Sequence, residues 1–226
     1  MFFLLLMLYK GYLNVLLAIS PARLFATIVK ADVYHSLLVE WTNAFVPREK
    51  SCILEVGCGP GLLACHLASK EHNVTGLDLS NSMIQRAKKI SQRSGFVVNF
   101  SQADACDTGL PNSTFDTVMG ASIVNVVGDP LPIMKEAWRV LKPNGRVSFL
   151  FPTHSMSAKA IYQFATDKDY TPFSTAVLMT WASKAPKIDI HTVSKLFGPA
   201  GFSGVQYYKV MNGMVAAVTA HKQLTK

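Results

Sequence analysis

Residues 52–61 read Cys-Ile-Leu-Glu-Val-Gly-Cys-Gly-Pro-Gly, an apolar run that closes on an acid and then on glycines at every second position. A short apolar run bounded by glycine reads as a buried strand. Glycine removes the Cβ, permits positive φ, and lets main-chain N–H groups approach a polar ligand at the N-terminus of the next helix, expected over 62–70. The dinucleotide fingerprint needs a glycine at the sixth position from Gly57, where this chain has Leu62, so a nucleotide-redox role is disfavoured. A tight turn with no ligand satisfies the same short pattern, and the rest of the chain decides between the two.

Downstream, strand-like and helix-like segments alternate. A helix over Asp32–Phe45 carries Val33, Leu37, Leu38, Trp41 and Phe45 near helical period and stops before Pro47. Strands are expected over 52–56, 73–77, 97–102, 114–119 and 146–151, the last entered through a Pro143-Asn144-Gly145 turn. The intervening helices fall at 62–70, 82–94 and 132–141. This order implies a doubly wound parallel sheet. A helical, aromatic-rich insertion at about 156–185 breaks the rhythm, a further helix follows at 191–197, and two final strands flank Asn212-Gly213. Asn-Gly between strand-like runs signals a hairpin, so the expected fold is a seven-stranded Rossmann-like α/β sheet with a C-terminal antiparallel hairpin.

With 226 residues, half of them hydrophobic and 16% charged, the chain suits one α/β domain with a short appendage. Its formal charge of +8 favours anionic surfaces in general. The basic residues are spread out except for Arg86, Lys88, Lys89 and Arg93, which read as a solvated helix face. Aromatic residues are not interleaved with them, and no nucleic-acid partner is expected. Cys52, Cys58, Cys65 and Cys106 have neither CxxC spacing nor a histidine at zinc-ligand spacing. No metal is expected, and buried reduced thiols fit a cytoplasmic chain.

Residues 1–30 form an apolar segment expected to break at Lys10-Gly11 and again at Ser20-Pro21, where Ser20 caps a new helix. Its uninterrupted part is too short to span a bilayer, and it lacks the positive start of a signal peptide. Three readings stay open: an interfacial membrane helix, a lid over a substrate pocket, or a helix docked on the core of the domain formed by residues 31–226. Lys10, Arg23 and Lys30 favour peripheral contact with a membrane.

The spacing Glu55-Val56-Gly57-Cys58-Gly59-Pro60-Gly61, the acid Asp78 ending the second strand, Asp104 after the third, and the closing hairpin together resemble the class I S-adenosylmethionine-dependent methyltransferases. The stretch Leu110-Pro111 to Phe115-Asp116 resembles their ubiquinone and menaquinone methyltransferase-like branch, without the phenylalanine that the branch carries after the proline. The resemblance covers about residues 53–221. It implies S-adenosylmethionine as cosubstrate and S-adenosylhomocysteine as product. It places Glu55 at the methionine ammonium and Gly57, Cys58, Gly59 and Gly61 under the methionine and ribose. Asp78 falls on the ribose hydroxyls, Leu79 and Met83 beside the adenine, and Asp104 with Ala105 at the adenine edge, Asp107 being the alternative acid. Ala121 lines the sulfonium pocket, and Asp116 is structural.

Where the branch commonly has a histidine after the fourth strand, this chain has Asn125, which can hydrogen-bond an acceptor but is a poor base. Asn125, His154 and Tyr162 are the candidates for positioning the acceptor. Methyl transfer from a sulfonium has an activated leaving group, so alignment and exclusion of water suffice without a dedicated base. The acceptor implied is a small hydrophobic or membrane-associated molecule: a quinone-like ring, a lipid amine or a natural product. A non-catalytic scaffold with a vestigial pocket is the alternative, and intact Glu55, Gly59, Asp78 and Asp104 argue against it. Nothing in the residues sets the oligomeric state.

Overall fold

Strands buried on both sides, each followed by a helix with one apolar face, need a sheet covered by helices on two faces. The computed structural model, which describes residues 1–28 and 31–223, has that sheet. Its strands are β1 (Cys52–Val56), β2 (Asn73–Asp78), β3 (Asn99–Gln102), β4 (Phe115–Ala121), β5 (Leu141–Pro152), β6 (Phe202–Val210) and β7 (Val215–Lys222). They lie in the order β3-β2-β1-β4-β5-β7-β6. β1 to β5 pair in parallel, and β7 runs antiparallel between β5 and β6. The expected architecture, closing hairpin included, is present.

The helices are α1 (Phe2–Ile19), α2 (Pro21–Ile28), α3 (Asp32–Phe45), α4 (Leu62–Ala68), α5 (Asn81–Ser94), α6 (Leu131–Val140), α7 (Ala158–Asp167), α8 (Pro172–Lys184) and α9 (Ile190–Phe197). α6 and α9 fill one face of the sheet through Ile133, Met134, Val193 and Phe197. The other helices share the second core, on the opposite face. Alternation along β1 puts Ile53 in this second core and Leu54 and Val56 in the first, so Glu55 points toward α3 and α4. α7 and α8 occupy the expected insertion.

Four details differ from the sequence reading. α1 runs unbroken through Lys10-Gly11, because one interior glycine costs a helix only about 1 kcal/mol and Lys10 is exposed. The last hairpin does not turn on two residues: Met211–Gly213 forms a 3-10 turn, since Thr153 draws the loop onto β5 through Oγ1 to Gly213 O (2.6 Å) and N–H to Met214 O (2.9 Å). Pro143-Asn144-Gly145 is absorbed into β5 as a bulge, with Asn144 at φ 63°. Cys106 is exposed rather than buried, on the loop after β3.

Leu6, Leu13, Leu24 and Ile28 belong to the same core as α3 and α8, so α1 and α2 pack on the rest of the chain. The expected boundary after residue 30 falls beside Val29 and Lys30, which lie outside the described residues. Trp41 of α3 is fully buried and donates from Nε1 to Ser148 Oγ of β5 at 2.9 Å. This bond fixes α3 over the sheet, and α3 carries one wall of the site. Ser148→Ala would leave the indole N–H unpaired and is expected to cost about 1–3 kcal/mol. Trp41→Ala is expected to cost about 3–5 kcal/mol. Thermal unfolding should rank the two in that order, and an unchanged Tm in Ser148→Ala would show that the bond does not hold α3.

Candidate active site

The glycine loop between β1 and α4 is held from the main chain. Cys58 N–H donates to Leu77 O (2.8 Å) and Gly61 N–H to Cys58 O (2.9 Å). Gly57, Gly59 and Gly61 all have positive φ, of 68°, 52° and 78°. At Gly61 the requirement is steric as well: a Cβ there would stand 2.5 Å from Phe100 Cζ and 2.8 Å from Ala87 Cβ.

Asp78, at the end of β2, ties this loop to the neighbouring strand. Its Oδ2 accepts from Gly59 N–H and its Oδ1 from Ser80 N–H, both at 2.8 Å. A carboxylate has about four acceptor positions, so two remain for a ligand. Leu79 follows, 68% exposed, and Met83 is half-buried on α5. Gln102 Nε2 donates to Leu79 O (3.0 Å) and Ala103 N–H to Asp78 O (3.2 Å), which brings the ends of β2 and β3 together. Asp104 is exposed and accepts Cys106 N–H at Oδ1 (2.8 Å). The loop beyond it is stapled to α6 by Glu136, whose Oε1 accepts from Thr108 N–H and Oγ1, while Arg139 pairs with both of its oxygens. Hydrogen bonds from Arg139 hold the Glu136 carboxyl down at about 2. Asp116 accepts from Cys52 N–H and Lys142 Nζ and is structural, as expected.

Glu55 is the unusual group. It is 3% exposed, and its Oε2 is buried without a hydrogen-bond partner among the described residues. Burial pushes its carboxyl up to about 8; the Ala64 N–H opposes this and the charge of Asp78 adds to it. Glu55, Gly57, Cys58 and Ala121 line one cavity with Tyr34 and Leu38 of α3. The cavity holds about 20 Å³, room for a single water.

Tyr34 was not among the sequence candidates. It is 3% exposed, its ring stands edge-on to Trp181 of α8 at 5.3 Å, and burial together with the Glu55 charge drives its hydroxyl pKa upward, with the Ser122 side chain opposing. One signal was available: Tyr34 precedes Leu37, Leu38 and Trp41 by three, four and seven residues, which puts a hydroxyl on the core face of its helix. A buried tyrosine hydroxyl needs a partner.

The three acceptor candidates lie in different places. Asn125 is 7% exposed, donates from Nδ2 to Pro186 O (2.8 Å) and keeps Oδ1 buried without a partner. His154 lines a separate cleft of about 170 Å³ with His191, Tyr207 and Lys209. Tyr162 is 43% exposed on α7. Among the described residues no cluster of histidine, cysteine and acidic side chains suits a metal.

Residues 54–149 match the family model described as Methyltransferase domain, a span that begins after α3. Over 185 residues the chain is 31% identical to demethylmenaquinone methyltransferase of Lactococcus lactis subsp. lactis, covering 75% of this chain and 73% of that protein. It is 37% identical over 108 residues to phosphatidylethanolamine N-methyltransferase of Cereibacter sphaeroides, covering 47% and 53%. Among solved structures, phosphoethanolamine N-methyltransferase 2 of Haemonchus contortus, in complex with S-adenosyl-L-methionine, has a TM-score of 0.63 at 15% identity, over 84% of this chain and 53% of that one.

The raised Glu55 carboxyl has a consequence for the ligand-free protein. Between the ordinary value of 4.5 and about 8 the folded chain keeps a proton that the unfolded chain has released. The contribution is therefore complete below 4.5 and is lost as pH rises through about 8. Glu55→Gln keeps the shape and removes the titration. Urea unfolding across this window should show wild type losing stability relative to Glu55→Gln as pH rises, and a constant difference would contradict the assignment.

Proposed function

The chain belongs to the class I S-adenosylmethionine-dependent methyltransferases, in their quinone methyltransferase-like branch, and we propose that it methylates a small apolar acceptor drawn from a membrane. The observation that carries the cosubstrate's placement is the unpartnered Glu55 Oε2 at the floor of a cavity bordered by the glycine loop. A buried carboxyl lacking a partner is matched by an ammonium group, which restores the charged form that burial disfavours. The site residues fit the rest of the molecule in the same order. Gly57, Cys58, Gly59 and Gly61 lie under the methionine and ribose, and Asp78 offers its free acceptor positions to the ribose hydroxyls. Leu79 and Met83 flank the adenine, Asp104 and Ala105 meet its edge, and Ala121 faces the sulfonium. Tyr34 joins them as the donor to the methionine carboxylate, opposite Glu55.

When bound, S-adenosylmethionine supplies a methyl group on a cationic sulfur that leaves as a neutral thioether. What remains for the protein is to position the acceptor and keep water out. Asn125 is suited to the first task, because its Oδ1 can accept an acceptor O–H or N–H while Pro186 O fixes its other end. His154, which lines its own cleft, and Tyr162, exposed on α7, are further candidates for contacting the acceptor.

The apolar acceptor is supported by the quinone and phospholipid substrates named for the two relatives, and by the helical cap of α7 and α8 above the sheet.

S-Adenosylhomocysteine and 5′-methylthioadenosine test the placement together, because the second lacks the amino-acid end. Glu55→Gln is expected to weaken S-adenosylhomocysteine about 10- to 100-fold, as for a lost hydrogen bond to a charged group, and Tyr34→Phe about 10-fold. Neither should change 5′-methylthioadenosine binding, whereas Asp78→Ala should weaken both. Equal losses for both ligands in Tyr34→Phe would remove Tyr34 from the site, and a wild type that binds neither ligand would remove the site itself.

A further inference from the structure

α1 has two apolar faces, and among the described residues only one of them is covered. Leu6 and Leu13 are buried, and Tyr9 stands edge-on to Phe173 of α8 at 5.3 Å, so this side is seated on the cap. At 100° per residue, Leu4, Met7, Leu8, Val15, Ile19 and Tyr12 fall together on the opposite side, and all are more than half exposed. From Met7 round to Tyr12 this outward arc spans about 140° and contains no charged residue. Lys10 and Asn14 sit side by side at one border of it. A helix apolar on two opposite faces belongs in an apolar surrounding, and the described residues supply one on a single side.

We propose that α1 is an in-plane bilayer anchor, with its inner face kept on α8 and its outer face sunk among the acyl chains of an anionic membrane. Charge selects this occupant over a second copy of the chain. Residues 1–31 contain Lys10, Arg23 and Lys30 and no acid. Lys10 lies at the middle of α1, beside the exposed arc, and a second copy pairing through that arc would present an equally basic segment with no acid to neutralise it. An anionic bilayer surface pairs with the same lysine, which can lie along the apolar face and raise its ammonium to the headgroups.

Docking on α8 also selects the in-plane mode over a crossing. By length and composition α1 can span a bilayer, its 18 residues reaching about 27 Å. To cross, it would have to leave α8 and strip Leu6, Leu13 and Tyr9 from Phe173 and the surrounding core. Lying flat keeps these contacts and places the cap against the reservoir of apolar acceptor. Only this last consequence rests on the proposed acceptor.

Flotation with phosphatidylglycerol-containing vesicles tests the anchor without any turnover. Wild type is expected to float with them and to bind neutral phosphatidylcholine vesicles several-fold less. Leu8→Glu and Val15→Glu, both on the exposed arc, should each lower vesicle binding at least 10-fold with Tm and S-adenosylhomocysteine affinity unchanged. That titration on the same samples separates failure of the anchor from failure of the cosubstrate site. Wild type that stays out of the vesicles overturns the proposal. So does a concentration-dependent dimer abolished by the same substitutions. In a Cys106→Ser background, a fluorophore on a cysteine at Val15 should be quenched by nitroxide-labelled lipid and one at Leu16, on the docked side, several-fold less. Equal quenching would mean that α1 has left α8 and crosses the bilayer.

Discussion

A carboxyl group buried at the end of a central strand, with one oxygen unpaired, is the constraint around which this end of the molecule is organised. Glu55 occupies the second-core face of β1 because alternation along the strand leaves it no other, and the packing around it leaves it almost wholly buried. In isolation this is a costly arrangement, expressed as a carboxyl pushed up to about 8. In the proposed complex the ammonium of the cosubstrate completes the hydrogen bonding of this oxygen beside the glycine loop. The hydrogen bonds from Gly59 to Asp78 and from Cys58 to Leu77 hold the loop in place around it.

From Glu55 the structure is continuous outward. Tyr34 shares its cavity and packs on Trp181 of α8, and α8 in turn carries α1 through Phe173. Two aromatic contacts thus separate the cosubstrate cavity from the helix proposed to meet the membrane. The cavity holds about 20 Å³ and α3 forms one of its walls, so the proposed placement of the cosubstrate's amino-acid end bears directly on α3. Binding at Glu55 and the placement of the cap therefore involve the same side chains.

Much of this was legible in the residues because it is local. The strand-helix alternation, the loop at Gly57–Gly61, the acid at Asp78 and the final hairpin each depend on neighbours within a few positions. What was not legible depends on distant parts of the chain. Tyr34 lies outside every local motif and gains its meaning from Glu55. Asn125 is oriented by Pro186, 61 residues away. The Asn212-Gly213 turn is lengthened by hydrogen bonds from Thr153, and the unbroken α1 owes its inner face to α8, a helix 150 or more residues later in the chain. Periodicity marked α1 as apolar, but only the packing shows that its two sides face different surroundings.

The central claim is that Glu55 is held uncharged at neutral pH until the ammonium group of the cosubstrate reaches it. Carbon-13 NMR of labelled glutamate carboxyls, with Glu55 assigned by its loss in Glu55→Gln, measures this directly. Glu55 is expected to titrate at about 8 in the free protein and well below that once S-adenosylhomocysteine is saturating. Titration in the ordinary carboxylate range in the free protein, or a midpoint unmoved by the ligand, would contradict it.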